Sequence, residues 1–238
     1  MSSSQKLIVA LDLPTLGRAI ELVEALGDLV QIYKIGPYLF LEEGRGLIDE
    51  LKKRGKGVFL DLKFHDIPNT VAGAARAVVR MGVDMFNLHA AGGPEMMRAA
   101  REAAVEEAER LGFDPPLILG VTILTSLSDE DLRGIYGAEL SARRLVERMA
   151  LLAKEAGLDG VVASPGEIGI VKGACGEGFA VVVPGVRPSW AARADQKRVA
   201  TPGETVRMGA DYIVVGRPIY ASPDPVEAAM KIIEEIGG

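Results

Sequence analysis

Short apolar runs recur along the whole chain, and between them the apolar positions switch to helical spacing. Leu7-Ile8-Val9-Ala10-Leu11-Asp12 is the first strand-like run, and Pro14 to Leu26 reads as the first helix. Val30 to Gly36 is the second strand, after which the segment from Pro37 to Arg54 runs back. Gly57-Val58-Phe59-Leu60 opens the third, followed by a helix from Pro68 to Met81. Met85 to Ala90 is the fourth, with a long helix from Pro94 to Leu111 whose apolar face is Met97, Ala100, Ala104, Ala108 and Leu111. Leu117 to Thr125 is the fifth, with Ala142 to Ala156 as its return helix. Gly160 to Pro165, Phe179 to Val186 and Tyr212 to Gly216 are the last three strands, and a helix from Pro225 to Ile236 closes the chain.

Strands that are apolar throughout belong to parallel sheets covered on both faces. Strand and helix alternate without a break, which predicts an α/β fold, a single (β/α)8 TIM barrel over residues 1–238. An open doubly wound sheet is the alternative. Its dinucleotide-binding version lacks support, because no Gly-x-Gly-x-x-Gly follows the first strand. Two long connections, Ser126 to Ser141 and Arg187 to Thr201, are candidate lids.

Composition narrows the function classes. A formal net charge of −6 argues against a nucleic-acid partner, which needs a basic face. Any anionic ligand must meet a positive field built locally. The single cysteine, Cys175, excludes an intramolecular disulfide and fits a reducing compartment. It sits away from the polar strand ends and reads as a bystander. The N-terminus lacks the apolar stretch of a signal peptide, and no apolar run approaches a membrane span, so a cytoplasmic protein without a membrane partner is expected. Two Asn and three Gln beside abundant Arg and Glu match the bias of proteins from hot environments, and predict a thermal midpoint above about 60 °C.

The polar residues that interrupt the apolar strands collect at the carboxyl ends: Asp12, Lys34, Asp61 and Lys63, His89, Thr125, and Gly216-Arg217. In a barrel that end builds the active site. Asp61 and Lys63 lie two apart, so on a strand they point the same way. Opposite charges there are costly to desolvate unless they pair with each other or with a ligand, and a structural ion pair is the plain alternative. Lys34, Asp61, Lys63 and Asp66 would form an alternating set of charges near the barrel mouth, each favouring the charged form of its neighbours. A protonated, positioned lysine is a general acid and a poor Schiff-base nucleophile, so the pattern favours proton delivery over imine chemistry.

Val215-Gly216-Arg217-Pro218 signals a phosphate site: Gly lets the anion approach the backbone and Arg offers a bidentate clamp. Arg187 and Gln196 on the preceding long loop could close over the same group. His65 alternates away from Lys63 and reads as structural, while the role of His89 stays open. The two isolated histidines lack the spacing of a zinc site. A magnesium site using Asp61 and Asp66 is allowed by spacing, but Lys63 between them would compete with the ion.

With these blocks in place, the sequence resembles the orotidine 5′-phosphate decarboxylase family over nearly its whole length. The likeness rests on Ala10-Leu11-Asp12, Lys34-Ile35-Gly36, the run from Asp61 through Phe64-His65-Asp66-Ile67-Pro68-Asn69-Thr70, Val121 to Ser126, Pro184-Gly185-Val186-Arg187, Asp195-Gln196-Lys197-Arg198 and Val215 to Ile219. Asp-x-Lys-x-x-Asp alone is shared with related barrels, and the extended run is far more specific. The resemblance implies decarboxylation of orotidine 5′-monophosphate, the last step of pyrimidine nucleotide synthesis, without a cofactor. It implies that Lys63 donates a proton to C6, that Asp61 sits against the substrate carboxylate, and that Lys34 and Asp12 hold ribose hydroxyls and the charge network. Asp66 and Thr70 would reach into the neighbouring subunit's site in a homodimer. Thr125 would bond the pyrimidine, Leu124 and Pro184 would line its pocket, and Gln196, Gly216 and Arg217 would take the phosphate. Rival expectations are a metal-dependent barrel of the hexulose-phosphate synthase or ketogulonate-phosphate decarboxylase type, and a non-catalytic barrel that only binds the nucleotide.

Overall fold

In the computed structural model, which describes residues 3–136, 141–191 and 200–237, the apolar runs close into one barrel of eight parallel strands in chain order. The strands are β1 (Leu7–Ala10), β2 (Ile32–Ile35), β3 (Gly57–Phe64), β4 (Met85–His89), β5 (Leu117–Val121), β6 (Gly160–Val162), β7 (Ala180–Pro184) and β8 (Tyr212–Val215). The ring is sealed by β1 on β8, with Leu7 opposite Ile213 and Val9 opposite Val215, which rules out the open sheet. Short α1 (Ser3–Lys6) precedes the barrel, and α2 (Leu16–Leu26) is the first outer helix, opened by the Thr15 hydroxyl accepting from the Arg18 N–H. The segment returning from β2 is two helices, α3 (Pro37–Glu43) and α4 (Arg45–Lys53), and α5 (Pro68–Arg80) and α6 (Gly93–Leu111) follow β3 and β4.

The connection after β5 differs from its expected form. β5 ends at Val121, so Thr125 lies beyond the strand in a turn, and the stretch read as a long loop contains α7 (Asp129–Tyr136). Ser128 and Asp131 start that helix by exchanging hydrogen bonds at its N-terminus, where the free amides need partners. Then come α8 (Ala142–Glu155), α9 (Ile168–Cys175), α10 (Pro202–Arg207), α11 (Arg217–Tyr220) and α12 (Pro225–Gly237). Among the described residues no helix is long and apolar enough to cross a membrane.

Alternation sorts each strand between two cores. Ile8, Ala10, Phe59, Met85, Leu119, Val121, Val162, Val182 and Val214 fill the barrel interior, while their neighbours Val9, Val58, Leu60, Phe86, Val161, Val183 and Val215 pack under the helices. Each fully buried side chain of this size contributes about 1.5–3 kcal/mol.

The amino-terminal foot of the barrel is pinned by a motif repeated before β4, β6 and β8: Gly82-Val83-Asp84, Gly157-Leu158-Asp159 and Gly209-Ala210-Asp211. Each Asp N–H donates to a carbonyl of the preceding strand (Val58, Ile118, Val181), and each Asp carboxylate accepts the N–H of that same residue, at 2.7, 2.8 and 2.7 Å. A helix-borne cation then neutralises each one: Lys52 for Asp84, Arg101 for Asp159 and Lys172 for Asp211, at 2.9, 2.9 and 2.8 Å. These staples set the strand register and leave the opposite end for chemistry.

Candidate active site

At its carboxyl end β3 departs from a regular pleat. Leu60 faces Phe86, yet Phe64 faces Leu88, so β3 advances four residues while β4 advances two. The surplus forms a bulge, and within it Lys63 has φ +52°, the only positive value for a non-glycine among the described residues. That left-handed conformation costs about 1–2 kcal/mol for a residue with a Cβ. Asp61 and Lys63 do meet as expected, with Lys63 Nζ 2.6 Å from Asp61 Oδ1, but through this irregular backbone rather than an ordinary strand. Asn87, on β4 opposite the bulge and fully buried, accepts the Lys63 N–H at 2.8 Å and donates to Asp61 Oδ1 at 2.7 Å.

The second lysine comes from β2. Lys34 Nζ lies 3.0 Å from Asp12 Oδ1 and 3.4 Å from Asp61 Oδ2. Burial opposes its charge, but Asp61 and Asp12 outweigh that and hold the ammonium above the ordinary lysine range. Gly36 makes room for the pair, since a Cβ there would stand 3.2 Å from both Asp12 Oδ1 and Lys34 Nζ. The outcome is a chain of alternating charge, Asp12–Lys34–Asp61–Lys63, with Lys34 on β2, Asp61 and Lys63 on β3, and Asp12 just past the end of β1.

Beside it lies a cavity of about 180 Å³ lined by Asp12, Lys34, Pro184, Gly185, Arg187, Gly216, Arg217 and Tyr220. The loops after β7 and β8 thus converge as expected, with Arg187 buried and Arg217 exposed. Gly216 is needed for closeness: a Cβ would sit 3.3 Å from the Tyr220 ring and 3.4 Å from Ala10 Cβ. Burial and Asp12 push the Tyr220 phenol up, against the opposing pull of Arg217, Arg187 and Lys34. It therefore stays a hydroxyl donor at neutral pH.

Other expected residues stand apart. Asp66 makes no ion pair among the described residues; its carboxylate accepts the N–H of Ile67 in its own turn at 2.6 Å, so the chain by itself joins three of the four expected mouth charges. Asp66 and Thr70 are both exposed, and Ile67 between them is 67% exposed. Thr125 and the half-exposed Leu124 lie outside the cavity lining, and Gln196 lies outside the described residues. His65 and His89 face each other with ring centroids 5.4 Å apart. Burial, then His65 and Lys63, hold His89 below the ordinary histidine value despite Asp61. Two residues of this site escaped the sequence reading. Tyr220 offered no signal, whereas Asn87 had one: an amide in the middle of the apolar run Met85-Phe86-Asn87-Leu88.

The chain is similar to known proteins over nearly its whole length. Residues 5–232 match the model of the Orotidine 5'-phosphate decarboxylase / HUMPS family. The orotidine 5'-phosphate decarboxylase of Moorella thermoacetica is 54% identical over 236 residues, covering 99% of this chain and 94% of the relative. That of Syntrophotalea carbinolica is 53% identical over 237 residues, covering 99% and 96%. Among solved structures, the orotidine 5'-phosphate decarboxylase of Lactobacillus acidophilus superposes with a TM-score of 0.87 at 36% identity, covering 98% of this chain and all of that one.

Proposed function

The chain belongs to the Orotidine 5'-phosphate decarboxylase / HUMPS family, and from that premise we propose that it converts orotidine 5′-monophosphate to uridine 5′-monophosphate without metal or organic cofactor. The observation that carries the proposal is the Asp12–Lys34–Asp61–Lys63 chain set against a cavity edged by two arginines.

The C6–carboxylate bond breaks, carbon dioxide leaves neutral, and the electron pair stays in the ring plane at C6, where no adjacent π-system takes it up. A fixed cation must stabilise it, and the Lys63 ammonium, preorganised by Asp61, fills that role and then transfers its proton to C6. Water reprotonates the lysine. Asp61 faces the departing carboxylate, and Lys34 and Asp12 orient the ribose. Arg217, Gly216, Arg187 and Gln196 hold the phosphate, whose binding energy positions the distant ring. With Lys63 Nζ at 2.6 Å from Asp61, an ammonium occupies the place a divalent ion would need, which favours this reading over a metal-dependent sugar-phosphate lyase.

Thr70 and Asp66 belong to the proposal as groups offered to the neighbouring site of a homodimer; their exposure beside Ile67 at the mouth supports it. Thr125 joins through closure of the β5 loop on the pyrimidine. The whole chain, 1–238, acts as one catalytic domain in the cytoplasm.

The test is loss of orotidine 5′-monophosphate absorbance in the presence of EDTA, for the native protein and Lys63→Ala. Turnover in EDTA that falls by at least about 10³-fold in the variant is expected. No turnover, or turnover that returns only with magnesium, would sink the proposal in favour of the sugar-phosphate enzymes.

A further inference from the structure

We propose that Asn87 is a positioning residue of the reaction, aiming the Lys63 ammonium by clamping both the backbone of Lys63 and the carboxylate of Asp61. The inference rests on the decarboxylase reading above and assigns to it a residue outside the cavity lining.

Where β3 runs two residues long against β4, the Lys63 N–H loses its place in the strand ladder and would be orphaned beside a closed interior. The Asn87 side-chain oxygen accepts it at 2.8 Å. The same amide turns its Nδ2 to Asp61 Oδ1 at 2.7 Å, and Lys63 Nζ reaches that oxygen at 2.6 Å. One neutral group therefore closes a ring that runs from the Lys63 backbone through Asn87 and Asp61 to the Lys63 ammonium. The ring keeps Lys63 in its left-handed conformation at φ +52°, which nothing intrinsic to a lysine favours.

The chemistry of the clamp requires an amide. It must accept from one side and donate to the other, which a carboxylate or an aliphatic group of the same size cannot do. It must also carry no charge, since a second anion beside Asp61 would compete for Lys63. Full burial of an amide in a barrel interior is expensive unless both ends are used, and here both are. The chain has only two asparagines, and it keeps one here.

Asn87→Asp tests this, since the shape is kept while the donor is lost and a negative charge is added beside Asp61. The titratable groups around the position are Asp61 and Lys63 on β3, Lys34 on β2, and His89 on its own strand; its β5 neighbour, Leu119, is apolar. Near neutral pH kcat should fall on the order of 10²-fold with KM for orotidine 5′-monophosphate within about threefold of native. As pH drops toward about 5 the introduced carboxyl regains a proton and with it a donor, so the variant-to-native ratio of kcat should rise. A purely structural role predicts a lowered thermal midpoint with a ratio independent of pH. If Asn87→Asp does not fold, Asn87→Ser replaces it, because a hydroxyl is too short to span both partners and should cost a similar factor in kcat. Native kcat in either folded variant, or a pH-independent ratio for Asn87→Asp, overturns the clamp while leaving the decarboxylase reading intact. Absence of turnover in the native protein overturns both.

Discussion

Both ends of this barrel set aspartates beside cations, and they hold them in opposite ways. At the foot, Asp84, Asp159 and Asp211 each accept a backbone N–H of the neighbouring strand and one cation, so backbone geometry fixes the carboxylate. At the mouth, Asp61 takes its hydrogen bonds from the Lys63 and Asn87 side chains, with Lys34 at 3.4 Å, and Asp12 takes one from Lys34. A carboxylate bound to the backbone has its partners committed to strand register. One bound to lysine ammoniums has partners that rotate and keep spare donors for a ligand. On the proposed function, the same pairing of aspartate with cation is structural at one end and reactive at the other because of what else grips the aspartate.

The sharpest way to break the comparison is to neutralise one carboxylate at each end. Asp61→Asn removes the charge between two lysines, and turnover should drop by about 10³-fold while Lys34 keeps Asp12 and the thermal midpoint hardly moves. A fold that collapses in Asp61→Asn would place the mouth in the same structural class as the foot. The matching change below, Asp211→Asn, leaves the Lys172 ammonium, only 8% exposed, with two backbone carbonyls and no counter-charge. Denaturant melts should show a loss of about 3 kcal/mol with kcat of the folded enzyme unchanged. Native stability in that variant would remove the staple from the argument.

The same contrast explains what could be read ahead of the structure. Strand order and barrel closure were legible because the strands are mostly apolar on both faces, and the mouth was legible because the charged residues that interrupt those runs gather at one end. The Asp61–Lys63 contact was anticipated from spacing two apart, yet the bulge that shapes it was not. A bulge is set by the register against β4, and register is a property of two strands that one strand's sequence does not contain. The partners of Asn87 were hidden for that reason, since they lie 24 and 26 positions away. Asp66 failed to join the mouth charges within the chain because its carboxylate is spent on the next residue's N–H, a local bond that competes with longer reach. The fifth strand was read too long, to Thr125, as Ile123 and Leu124 continue the apolar pattern past the last ladder residue, Val121.

A smaller effect probes the strain stored at the mouth. At an ordinary strand position alanine is more stable than glycine, because glycine loses more freedom on folding. At position 63 the order should reverse, with Lys63→Gly more stable than Lys63→Ala by about 0.5–1 kcal/mol, since only alanine keeps the cost of a Cβ at positive φ. Comparison of the two midpoints decides it, and an alanine variant that is the more stable would mean that the backbone relaxes once the lysine is gone.

The smallest expected effect concerns the histidines flanking Lys63. Burial, His65 and Lys63 disfavour the charged form of His89, so its folded value lies below the ordinary 6.5 that the unfolded chain keeps. Above about pH 7 both states hold a neutral ring and His89 is indifferent to folding. As pH falls through 6.5 the unfolded chain takes up the proton first, and stability declines until the folded ring is protonated too. His89→Asn cannot titrate, so its midpoint should fall less than the native one between about pH 8 and pH 5.5. The foot carboxylates, present in both proteins, cancel from that difference. Equal declines would mean that His89 is relieved by solvent at the open mouth, and that the lysine's surroundings are wetter than the closed ring of Asp61, Asn87 and Lys63 requires.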